Sequence, residues 1–255
     1  MGTPIEHVYV FQLRLSELSP LSKSEKAALA VLCFVVSELN VLRKVSLFSM
    51  FSDEMPKDVR PAAAIQRNLF LRTMTAKLFE FLRLVEKKVA QSAQSDRVKE
   101  VLQGFSAEIS DARTGIGFTI AKKIRNKMAN HFDFEEVERT IDHCEASTDC
   151  SFYLTEANGN SYYPMGDDVV FASGVNRAIA ESGLTVSFSE ALDEWMDWTI
   201  KLSVLADSIH VALFEKLILP LNPDHMARQR PQWLPSDLVA YHPGFRLPIF
   251  IRVSK

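Results

Sequence analysis

Arginine, asparagine and histidine fall close together in KKIRNKMANHFDFEE, residues 122 to 136. Arg125 is followed at once by Asn126, and His131 lies six positions after the arginine. These are the side-chain types that a metal-free phosphodiester cleavage needs. A histidine titrates near neutral pH and is able to take the proton of a ribose 2′-OH. An arginine carries a permanent cation on a fork of donors, which suits the charge that develops on a phosphate. An amide such as Asn126 is able to hold a water, a phosphate oxygen or the histidine ring.

The flanks fit the same chemistry. Four of the 29 basic residues, Lys122, Lys123, Arg125 and Lys127, fall within six positions of a chain whose net charge is -3. A mildly acidic chain is not a general nucleic-acid coat, but a local cationic group is able to grip a few phosphates. Spacing adds a constraint. On a helix, positions six apart lie about 9 Å apart along the axis and about 120° apart around it. Arg125 and His131 therefore do not share a face. They meet only through a long arginine side chain, a distorted helix end or a second copy of the protein. Lys127 and His131 are an i,i+4 pair and do share a face, as do Asn126 and Asn130.

The segment from Arg125 to His131 resembles the Rx4–6H motif of the HEPN superfamily, in which a polar residue commonly follows the arginine. The resemblance covers about a dozen residues in motif and the helices up to residue 145 in architecture. It implies a helical bundle and a metal-independent endoribonuclease that cleaves by 2′-OH attack and leaves a 2′,3′-cyclic phosphate. It further implies a homodimer whose two motifs meet across a cleft, in a toxin or phage-defence setting with a possible antitoxin or regulatory partner. Arg125, Asn126 and His131 would be the catalytic set, and Lys122, Lys123, Lys127 and Asn130 the RNA-binding set. Other members of the superfamily bind RNA, nucleotides or proteins without cutting, so a non-catalytic binding module is the alternative.

Other chemistry is poorly represented. There is no GxxxxGK[ST] loop and no dinucleotide GxGxxG. His143, Cys144 and Cys150 are near neighbours, but their spacing fits no common zinc pattern, so neither metal nor cofactor is expected. The 3 cysteines are too few for a disulfide scaffold, and Cys33 lies in an apolar helix stripe, which reads as core. The longest apolar run, Ala27 to Val36, falls short of the about 20 residues that a membrane span requires. The first residues lack a secretory leader and a myristoylation signal, and a cytoplasmic location is expected.

The elements that must position the motif are mostly helical. With 47% hydrophobic and 24% charged residues, the 255-residue chain has an ordinary globular composition. Ser22 and Glu25 have capping-box spacing ahead of a helix to about Met50. A second helix follows Pro61, with Ile65, Leu69, Leu78, Leu82, Val85 and Val89 on one stripe. A third starts near the N-cap Asp96, a fourth near Asp111, and a fifth spans Phe134 to Cys144. SFYLTEANGNSYYP is strand-like on both sides of Asn158-Gly159, which predicts a β-hairpin over about 150–172, and DDVVFAS adds a short strand. Asp167-Asp168 reads as a turn. The last long helix starts near Ser189, with Trp195 and Trp198 read as core. Gly115 and Gly117 mark a helix start or a close helix crossing. The tail, about 220–255, reads as irregular, with PIFIRV as an edge strand. The prediction is one mainly α domain over 1–255, a bundle with a hairpin inserted before its last long helix, rather than two domains split near residue 145.

Overall fold

Hydroxyl side chains set the major helix starts. Ser22 Oγ accepts from the Glu25 N–H at 3.2 Å while the Glu25 carboxylate accepts from the Ser22 N–H at 2.7 Å, opening α1 (Lys23–Phe48). Arg60 opens α2 (Arg60–Ala90) directly before Pro61, a residue suited to a first helical turn. The Ser95 hydroxyl, one residue before the predicted cap, accepts from the Arg97 N–H and opens α3 (Asp96–Gly104). A short α4 (Ser106–Asp111) and a turn lead to α5 (Gly115–Lys127), and α6 (Phe134–Ile141) follows. Then come α7 (Pro164–Asp167), a wide helical turn over Asp168–Ser173, and α8 (Gly174–Glu181). A second reciprocal box, Ser187 with Glu190, starts α9 (Phe188–Leu217) two residues before the predicted cap. The computed structural model describes residues 7–49, 55–90, 95–127, 134–155, 160–221, 229–233 and 248.

One hydrophobic core joins these helices. Leu32 and Leu39 of α1, Leu78, Phe81 and Leu82 of α2, Ile120 and Ile124 of α5, and Trp195, Leu202, Ile209 and Leu213 of α9 are all buried in it. α9 runs through its centre and touches α1, α2, α3, α5 and α8. Trp195 is 1% exposed and satisfies its only polar atom by donating to Thr75 Oγ1 at 2.8 Å, while Thr75 donates to the Leu71 carbonyl. The predicted burial of Trp195 and Trp198 and the mainly helical bundle therefore hold.

Several expectations are corrected. The segment 150–172 is not a β-hairpin insertion among the described residues. Its two arms make a single antiparallel bridge, Tyr153 with Tyr162, whose rings stack at 4.5 Å. Asn158-Gly159 lies outside the described residues. DVVFAS is helical instead of a strand, because it is covered on more than one side. Val169 and Phe171, two positions apart, are both buried, with Phe171 against Trp195 and under the Arg72 guanidinium. Alternate burial reads as a strand in sequence but also fits a helical turn enclosed by neighbours. Asp167 ends a helix instead of forming a turn. The fourth helix starts at Gly115, after a separate short one, and Leu69 of the predicted stripe is 52% exposed. Cys33 is exposed and not core, with Sγ 3.3 Å from His210 Nε2. The predicted irregular tail contains a strand: β1 (His7–Phe11) pairs antiparallel with β2 (Gln229–Trp233), His7 opposite Trp233 and Phe11 opposite Gln229. Of PIFIRV, only Pro248 is among the described residues.

Candidate functional site

The position of α5 is set by glycine and aromatic contacts. Gly115 has φ +80°, a conformation that side-chain-bearing residues rarely adopt, and it starts the helix out of the preceding turn. Gly117 lets α5 meet the backbone of α9. A Cβ built there would lie 2.3 Å from the Glu194 carbonyl oxygen and 2.7 Å from Trp198 Cβ. Phe118 of α5, Phe79 of α2 and Trp198 of α9 then pack as a trio, with centroids 5.4–6.4 Å apart. The Trp198 Nε1 donates to the Ala112 carbonyl at 2.7 Å and pins the turn before α5. Ile120, Ala121 and Ile124 are fully buried, so rotation of α5 about its axis is fixed.

That rotation decides where the candidate site residues go. Arg125 reaches α2 and donates to Glu80 Oε1 at 3.1 Å and to the adjacent Asn126 Oδ1 at 2.9 Å. Lys123, two positions away, points to α8 and pairs with Glu181 at 2.9 Å. Lys122 and Asn126 share the solvent-exposed face. At 100° per residue, neighbouring cations on a helix diverge. Lys122, Lys123 and Arg125 thus go to different surroundings instead of making one patch. Of these three, Lys122 alone has no carboxylate partner among the described residues. Lys127 is the last residue of α5. Asn130 and His131 lie outside the described residues, as does the junction that would bring a histidine to Arg125.

The arrangement at Arg125 is nonetheless a defined one. Its side chain is 38% exposed, and its guanidinium has two acceptors, Glu80 and Asn126. Glu80 also lies 3.7 Å from Arg83, so two cations share one carboxylate and the balance at this edge of α2 and α5 is positive. Glu80 is the participant that the sequence pattern missed. It sits 45 positions from Arg125, and its own helix offers no marker beyond an i,i+3 pairing with Arg83.

A second polar centre is buried where α7 meets α2. Asp167, read from sequence as a turn residue, accepts from Asn68 Nδ2 at 2.7 Å and from Arg72 NH1 at 3.1 Å. Burial pushes the Asp167 carboxyl up, against the hydrogen bonds from Asn68 and Arg72, which pull it down. Burial likewise lowers the pKa of Arg67, and the nearby Asp167 charge opposes that shift. With side chains only 11% and 16% exposed, the Asp167–Arg72 pair reads as a pin between helices, Asp167 accepting from both Asn68 and Arg72 of α2.

Cys144 Sγ donates to the Thr140 carbonyl and lies 3.3 Å from Ser173 Oγ, and among the described residues no three of His, Cys, Asp and Glu gather as a metal site would require. No described helix is long and apolar enough to cross a membrane. No family model, curated protein or solved structure matches the chain.

Proposed function

We propose that the chain is a HEPN-like, metal-independent endoribonuclease that cleaves RNA by 2′-OH attack, acting as a homodimer. The observation that carries this reading is the fixing of Arg125 at the exposed end of α5 by Glu80 and Asn126. A guanidinium oriented before substrate arrives loses little entropy on binding a phosphate, and its free donors are able to stabilise charge in the transition state. His131 would be general base or acid, and Asn126 the group that orients Arg125. Lys122, exposed on the same helix, Lys123, Lys127 and Asn130 would contact the RNA backbone. A role as a toxin or phage-defence effector with an antitoxin partner follows from the resemblance alone.

The test is RNA cleavage in EDTA by wild type, Arg125→Ala and His131→Ala. Loss of one essential group is expected to slow cleavage by about 10²–10⁴-fold, with a 2′,3′-cyclic phosphate on the wild-type product. Equal cleavage by all three proteins overturns the proposal. A second reading, a non-catalytic RNA-, nucleotide- or protein-binding module, is favoured by the pairing of Lys123 with Glu181 and of Arg125 with Glu80, which engages cations that catalysis would use. Salt-dependent RNA binding without any product would select it.

A further inference from the structure

A second feature lies at the other end of α5 from Arg125. Between the turn leading into α5 and the outer face of α9 runs an open groove of about 740 Å³. Its floor is apolar, made by Ile116, Trp198, Leu202 and Leu205. A second hollow, beside Ile200 and Glu190, adjoins it across Glu194 and Asp197, which line both, and together they border α9 from Glu190 to Ser208 as a trough divided at those carboxylates. At 1.5 Å per residue the trough is about 27 Å long.

Two properties identify what would fill it. First, α9 leaves large apolar side chains bare along this stretch: Ile200 is 54% and Val204 is 52% exposed, four positions apart on one face. Second, the rim is acidic. Glu108 and Asp111 border it on one side, and Asp193, Glu194 and Asp197 on the other. Among the described residues Lys201 is the single cation lining it, paired loosely with Asp197 at 3.9 Å. Glu108, Asp111 and Glu194 have no cationic partner among the described residues.

The chemistry of the occupant follows by elimination. A nucleic acid would bring phosphates against five carboxylates, which is repulsive. A compact organic cation would want an aromatic face open to the groove, but of the two aromatic residues that line it Trp198 is only 7% exposed, with its N–H committed to Ala112, and the half-buried Phe105 packs against the core. An apolar floor of about two helical turns with an acidic rim on both sides matches a helix with one apolar stripe and lysines or arginines flanking it. We infer that this trough is a docking groove for a basic amphipathic helix of a partner protein. The inference does not rest on the ribonuclease reading, and either stands if the other fails.

Three synthetic 18-residue peptides test it, each with a fluorescent label and read by anisotropy against the full chain. One places Leu on a single helical face with Lys elsewhere, the second replaces Lys by Glu, and the third scrambles the first. The Leu/Lys peptide is expected to bind and to weaken as salt rises. Glu194→Gln combined with Asp197→Asn is expected to weaken it about tenfold, and Val204→Ser, which leaves the charge alone, several-fold. All these positions are exposed, and circular dichroism of each variant checks that the helices are intact. No binding by the Leu/Lys peptide, equal binding by the Glu or scrambled peptide, or unchanged binding by the variants overturns the inference. So does self-association in sedimentation that Val204→Ser abolishes, because the occupant would then be a second copy.

Discussion

At the scale of single residues, two carboxylates have opposite meanings. Glu80 lies 3.1 Å from Arg125, on a surface where an ion pair contributes at most about 1 kcal/mol. If Arg125 grips phosphate, Glu80→Gln keeps an amide oxygen able to hold the arginine and removes the charge that repels phosphate. RNA affinity is expected to rise several-fold, with a steeper salt dependence, while Arg125→Ala lowers affinity. A filter-binding salt series on both variants checks this, and lower affinity in Glu80→Gln would show that the charge of Glu80, and not only its acceptor oxygen, is needed to hold the arginine. Glu25 works for stability. Burial would raise its pKa, but hydrogen bonds from the Ser95 hydroxyl, the Ser22 N–H and Arg97 outweigh burial and hold it at about 2. Its folded pKa lies below the unfolded value, so its contribution is complete above about pH 4.5 and is lost as pH falls towards 2. Allowing for solvent screening, the loss is on the order of 1–2 kcal/mol. Urea unfolding at pH 6 and pH 3 should show that gap in the native chain and a smaller one in Glu25→Gln.

At the scale of elements, everything about the candidate site depends on how closely α5 meets α9. A Cβ on Gly117 would collide with the Glu194 carbonyl and with Trp198 Cβ, neither of which is the far end of a flexible side chain. Gly117→Ala must therefore push the helices apart, and overpacking of this kind destabilises by about 1–3 kcal/mol. Thermal unfolding should register the loss, and Gly104→Ala, where a Cβ meets nothing, serves as the comparison. This crossing was legible in sequence as a pair of glycines in RTGIGFT, and so were the capping box at Ser22 and the burial of both tryptophans. Each rests on local chemistry: a cap, a small residue or a large apolar one. What was not legible is non-local. Pairing of β1 with β2 joins residues more than two hundred positions apart, and nothing within either strand marks its partner. Val169 and Phe171 read as a strand because sequence cannot show that neighbours cover that turn on several sides. Asp167 looked like a turn residue because its partners, Asn68 and Arg72, come from α2. Within the candidate site, the residue types at 122–127 were legible, but the separate destinations of Lys123 and Arg125 depend on Glu181 and Glu80.

For the whole molecule, the question is whether the chain unfolds as one unit. Its core is continuous: buried residues from Leu21 to Ile218 belong to one cluster, and α9 supplies the largest share. A split near residue 145 would divide α9 from α1, α2 and α5, the helices it packs against. Heat or urea should therefore give one transition, with helix content by far-ultraviolet dichroism and core packing by tryptophan fluorescence changing together. The buried link between α2 and α9 gives a sharper version of the same test. Thr75 and Thr199 are both 0% exposed beside Trp195, and the Trp195 N–H has Thr75 Oγ1 as its acceptor. Thr75→Val keeps the shape of the side chain but orphans that donor, which costs about 1–3 kcal/mol. In a chain of this size each kcal/mol lowers the midpoint by roughly 2–4 °C. If the core is one cooperative body, both probes shift by the same amount, although Thr75 and Trp195 lie 120 positions apart. A shift in the fluorescence transition that leaves the helical one in place would mean that α9 and its surroundings unfold apart from the first five helices.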